Sequence, residues 1–340
     1  LNPICIVQSK RVTISLSIRL IKVIMHPNIL ATFLLFEVSR TAISMSFAGI
    51  VLYLIAFWAV WRDFAHAKGL DKIVLLGNLC FAIPLAVFGA EHLSAANFIM
   101  NGVPSYMPWR LFWAYFVGFL LIAASLSIAT KIQVQWSGLL FGIMMFLFVA
   151  MLHFPRALAE PHDRLRWMVV IREMSFGGAG WVLAGTAMGR EHTPGKSLIA
   201  VGRVLIAIVA ICYGLEHFLH PLGMPGVPLE KQMPTWIPAR VLIDYLTGAF
   251  LLVGGVCFLL GQKTRMAATY LGGWIVLTVV IIYTPVMIVA LLDPSTAVKV
   301  EGLNYFADTL LFGGSILALA SASPAPAEVL SPASGQPQPI

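Results

Sequence analysis

Charge is what this chain has least of. Asp, Glu, Lys and Arg make up 11% of its 340 residues, against roughly 25% in soluble globular proteins. With 59% hydrophobic residues, too little polar surface remains to face water, and a soluble fold is excluded. Cysteine is scarce as well. Cys5, Cys80, Cys212 and Cys257 show no CxxC spacing, and the last three fall in apolar runs, so neither a disulfide framework nor a zinc site is implied. A glycine-rich phosphate cradle, a Walker lysine and a GxSxG elbow are all missing, which leaves nucleotide chemistry without support. The net charge is +7, but the Lys and Arg residues stand singly between apolar runs. That scatter argues against nucleic acid and fits the loops of a membrane protein.

What is present is a series of apolar runs near the 20-residue length that crosses a bilayer, with a mean hydropathy of +0.88. The pattern predicts an all-α polytopic membrane protein with a lipid bilayer as its first partner. A leading span at 44–62 precedes runs at 73–92, 109–130, 134–154, 167–189, 200–218, 239–261, 266–292 and 303–321, about nine spans in all. Residues 1–43 carry scattered basic residues and the pair His26-Pro27. They read as an interfacial anchor, a leader, or upstream sequence foreign to the working protein, with Met25 and Met45 as alternative starts. Residues 322–340 are rich in Pro, Ser and Ala and predict a disordered tail.

An internal repeat turns the spans into an architecture. A shift of 125 places Gly77 on Gly202, Gly89 on Gly214, Glu91 on Glu216 and His92 on His217. Both copies then carry Gly-Val-Pro, at Gly102 and Gly226. An insertion in the second copy moves the shift to 130, so that Pro108 meets Pro238, Arg110 meets Arg240, Tyr115 meets Tyr245 and Pro155 meets Pro285. The chain therefore divides into a leading helix and two tandem four-helix bundles, at 73–189 and 200–321. Because four is even, the bundles cross the membrane in the same sense, as parallel repeats.

Ionisable residues inside spans are costly, and here they gather toward one membrane face. The first copy supplies Glu91, His92, Arg110, Tyr115, His153, Arg172 and Glu173; the second supplies Glu216, His217, Arg240, Asp244, Tyr245 and Asp308. One polar pocket per bundle is expected, open to the same side. The competing reading is that such residues snorkel or anchor at the headgroup layer, with Arg110 and Arg240 neutralising Glu91 and Glu216 as structural ion pairs. A haem between His92 and His153 is disfavoured, because Tyr283 stands at the second position in the other copy. No metal site is expected. FGGAG at 176–180 and FGGS at 312–315 predict close packing by helix four of each copy. Loop Lys and Arg residues, nine on one side against eight on the other, weakly favour an extracytoplasmic location for the Glu-His ends.

GRVLIAIVAICYGLEHFLHP, followed by IPARVLIDYLTGAFLLVGGVCFLLGQKTRMAATYLGG, resembles the DoxX-like family of small four-helix membrane proteins. The second copy matches well and the first more loosely, with Asn78 in place of Arg203 and Ala114 in place of Asp244. The resemblance implies a bacterial or archaeal cytoplasmic membrane. Some relatives resemble the membrane subunit of a thiosulfate:quinone oxidoreductase, which implies a quinone as ligand and a redox partner subunit. A carrier or scaffold that binds a solute or lipid without chemistry is the alternative. The two departures favour the second copy as the active one.

Overall fold

The structure is a computed structural model, which describes residues 39–190, 192–228 and 231–324. Those residues form α1 (Arg40–His66), α2 (Asp71–Ser94), α3 (Arg110–Thr130), α4 (Val134–Ala159), α5 (Arg164–Met188), α6 (Thr193–Leu219), α7 (Arg240–Leu260), α8 (Thr264–Leu291) and α9 (Thr296–Ala322). Among them there is no strand, only an isolated bridge between Gly223 and Gln232. Eight of the nine are long and apolar enough to cross a membrane. The other, α5, carries Arg164, Arg166, Arg172 and Glu173 but has 25 residues, roughly 37 Å of helix, and packs between α4 and α6. The all-α polytopic expectation is met. The segment before residue 39 and most of the expected tail lie outside the described residues.

The backbone repeats as the side chains do. Helices α3 and α7 have equal length and begin and end 130 residues apart. Left-handed backbone recurs at Trp109 and Ala239, at Lys131 and Gly261, and at Gln133 and Lys263. Helices α4 and α8 are each interrupted by a π-turn, at Val149–His153 and Val279–Tyr283, followed by Pro155 and Pro285. A wide turn just before a proline relieves the clash of its ring with the preceding carbonyls.

The two four-helix units are not closed on themselves. The first and last helices of each unit pack about as closely on the other unit as on their own neighbours: α5 on α6, and α9 on α2. The eight helices therefore form one ring, with α5 and α9 touching across its centre and α1 laid against α2. Small residues make these seams, as the FGGAG and FGGS segments suggested. A methyl at Gly178 would meet Leu205 and the Gly202 carbonyl, and one at Gly314 would come within 2.5 Å of the Phe81 backbone nitrogen. Neither helix pair could approach so closely with a larger residue.

Candidate functional site

The last helix of each unit carries its polar groups inward. Arg172 of α5 donates through Nη1 to Asp308 Oδ2 of α9 at 2.8 Å, and through Nη2 and Nε to Glu173 Oε1 at 2.9 and 3.1 Å. Aligned on the two glycine segments, Arg172 and Asp308 are equivalent positions, so the two units meet on an ion pair between counterparts. The triad borders a cavity of about 300 Å³ enclosed by the four helices of the first unit and by α9 of the second. Its polar end holds His92, His153, Arg172, Glu173, Asn304 and Asp308; its apolar end is walled by Leu85, Phe88, Leu121, Phe141, Met144, Met145 and Phe148.

Several polar atoms at that end are uncommitted. His92 Nδ1 lies 2.8 Å from the Phe88 carbonyl and must donate to it, which leaves Nε2 as an acceptor with no partner among the described residues. The side chain of His153, on the π-turn, makes no hydrogen bond among the described residues. Asn304 donates to Glu91 Oε1 at 3.2 Å, while its own Oδ1 is buried without a partner. A buried polar atom left unpaired, as Asn304 Oδ1 is, invites a partner.

In the second unit the equivalent space is filled by the chain itself. His217 Nδ1 donates to the Tyr213 carbonyl at 2.7 Å, and Nε2 accepts from the Gly226 N–H at 2.9 Å. Tyr283, the counterpart of His153, donates to the Pro225 carbonyl at 2.9 Å. One peptide group, Pro225–Gly226, thus spans the two side chains that match His92 and His153. Gly226 has φ +99°, and a methyl there would touch Ile275 and Thr309, the counterparts of the cavity residues Met145 and Glu173. Met224, Val227, Met233 and Ile237 are buried around it, and a crevice of about 40 Å³ lies to one side, beside Arg164, Glu216 and His220. The equivalent Gly102 in the first unit has nothing within 4 Å of such a methyl.

The departures between copies explain this difference. Asp244 Oδ2 accepts from the Leu222 N–H at 3.1 Å and holds the second loop down; Ala114, at that position, can hold nothing. The six-residue insertion supplies the slack that lets the second loop dip. Because Nε2 of His217 is an acceptor, its 3.6 Å approach to Asp244 Oδ1 is not an ion pair. Arg203 donates to the Phe258 carbonyl at the end of α7, a tie that Asn78 does not make in the first unit.

The expected pockets are redistributed accordingly. Arg110 and Arg240 do not neutralise Glu91 and Glu216: each reaches seven residues back, to the carbonyls of Val103 at 3.0 Å and Met233 at 3.1 Å, and clamps the loop before its helix. Glu216 pairs with Arg164 and lies 3.3 Å from His220. Tyr115 is 40% exposed on the outer surface, and Tyr245 stacks on Phe218 there at 5.6 Å. Asp308, expected in the second pocket, belongs to the first. A larger space of about 660 Å³ lined by Thr235, Arg240 and Tyr245 is an open surface groove rimmed by exposed Val241 and Leu242.

Asn304 was not singled out from the sequence, although it stands one helical turn from Asp308 and faces the same way. Among the described residues no three His, Cys, Asp or Glu side chains gather to hold a metal ion. Compared with known proteins, the chain matches no family model, no curated protein and no solved structure.

Proposed function

We propose that the protein is a DoxX-like, quinone-linked membrane subunit of a redox system, and that the ligand head sits in the first-unit cavity. One observation carries this reading: the second unit fills the matching space with a planar group that accepts from one side chain and donates to the other. A quinol ring, with hydroxyls on opposite edges that can donate and accept, satisfies the same pair of positions in the first unit. A quinol hydroxyl would donate to His92 Nε2, and a ring oxygen would accept from His153. The apolar walls suit the ring and exclude water from its faces.

Reduction of a quinone to a quinol takes two electrons and two protons. In this reading the electrons come from a partner redox subunit, and His92 and His153 carry the protons at the ring oxygens. The Arg172, Glu173 and Asp308 triad fixes the polar wall. The Glu-His ends face the extracytoplasmic side of a bacterial or archaeal cytoplasmic membrane, as the loop charge suggests.

Purified protein titrated with a decyl-substituted benzoquinol tests the reading. Saturable binding at about one molecule per chain, weakened by His92→Ala, is expected. Absence of saturable binding overturns it. Saturable binding without any change in thiosulfate-dependent quinone reduction, when membranes with and without the protein are compared, would favour the carrier alternative.

A further inference from the structure

Helices α3 and α4 pack less closely than the other hairpin partner α2 does on α3, and a crevice of about 240 Å³ lies between them. It runs from the α3–α4 turn, where Ser127 donates to Ser137 at 2.8 Å, up to Phe141 and Met144. Those two residues also line the cavity, so a polar site and a lipid-facing slot share one wall. The crevice is apolar along Leu120 and Leu140, both of which are exposed toward the membrane.

The second unit again supplies the contrast. At the position of Met144 stands Trp274, whose Nε1 donates to Thr247 of α7 at 2.9 Å and whose ring stacks on Phe250 at 5.2 Å. That bridge ties α7 to α8. In the first unit Val117 stands where Thr247 does, and Met144 has no hydrogen bond to give. A flexible, unbranched side chain there can swing aside. The bridge is absent from the unit with the open cavity and present in the unit whose cavity is filled.

We propose that the α3–α4 crevice holds the apolar tail of the cavity's ligand and is the route by which that ligand loads from the lipid phase, past Met144. This rests on the first-unit cavity being the ligand site. The ligand is accordingly amphipathic, with a small polar ring at the Arg172 end and a chain running toward the opposite membrane face. A water-soluble ring alone would bind in the cavity without using the crevice.

The test compares a decyl benzoquinone with the same ring lacking its tail, on purified protein in detergent. Two variants close the crevice: Val117→Thr with Met144→Trp, which rebuilds the bridge of the second unit, and Ala123→Phe, which fills the slot away from the cavity. In the wild type the decyl compound should bind about tenfold or more tightly than the bare ring. In Ala123→Phe that advantage should fall to about threefold or less with bare-ring binding unchanged, and decyl loading should slow in both variants. An undiminished advantage in both variants overturns the tail assignment and leaves the cavity standing. Failure of the bare ring to bind the wild type overturns the cavity reading and this inference together.

Discussion

The two units share a backbone down to their π-turns and left-handed caps, yet one encloses a cavity and the other is filled by its own loop. Three differences produce this. A six-residue insertion lengthens the second loop, Asp244 anchors it, and Trp274 staples the two outer helices. The first unit has a short loop, Ala114 and Met144 at those places. Duplication thus supplies an internal control, in which a peptide group occupies the space that stays open in the other copy.

The largest expected effect comes from the groups that join the copies. Arg172→Ala should leave Asp308 and Glu173 buried without their cation and destabilise the protein by roughly 3–5 kcal/mol, read as a lowered melting temperature in detergent. Arg172→Met combined with Asp308→Leu should recover part of that loss, since only Glu173 is then left without its cation, while still abolishing quinone binding. If the single and double variants melt alike, the ion pair is not what holds α5 to α9.

The matched histidines should then separate. His217→Ala removes the acceptor of the buried Gly226 N–H and should cost about 1–3 kcal/mol, with faster hydrogen exchange across residues 221–228, and should leave ligand binding intact. His92→Ala should cost little stability but weaken quinol binding about tenfold, the value of one good hydrogen bond. Equal behaviour of the two variants would erase the distinction between a filled and an open unit.

The smallest effect lies at the start of α5. Asp163 caps this helix, accepting from the Leu165 and Arg166 amides at 3.0 and 3.4 Å and from the Arg166 side chain at 2.9 Å. The Arg166 hydrogen bond holds its carboxyl below the ordinary value near 3.8. A carboxylate held low in the folded state contributes stability above its unfolded value and loses it as pH falls through the folded one. Asp163→Asn should therefore lower the melting temperature slightly at pH 7 and flatten its decline below about pH 4, where the two proteins converge.

Much of the fold was legible in the sequence because a bilayer demands apolar runs of fixed length and the repeat fixed their grouping. The swap of partners between units was not legible. Gly178 and Gly314 announce close packing, but a small-residue face does not say which helix fills it. Arg172, Glu173, His92 and His153 were readable as costly polar residues in spans. The reach of Arg110 and Arg240 back to loop carbonyls was not, since a charge pairs by geometry and both Glu91 and Glu216 lay plausibly near. The weight placed on the second copy followed the presence of Asp244, whose role proved to be holding the plug.

The most direct measurement is photolabelling with an azido-substituted decyl benzoquinone, followed by mass spectrometry of the labelled peptides. Occupation of the open unit should place the label in the segments around Phe88–His92, Phe141–His153 and Asn304–Asp308. Label confined to residues 221–245 of the second unit would contradict the assignment of the ligand to the first.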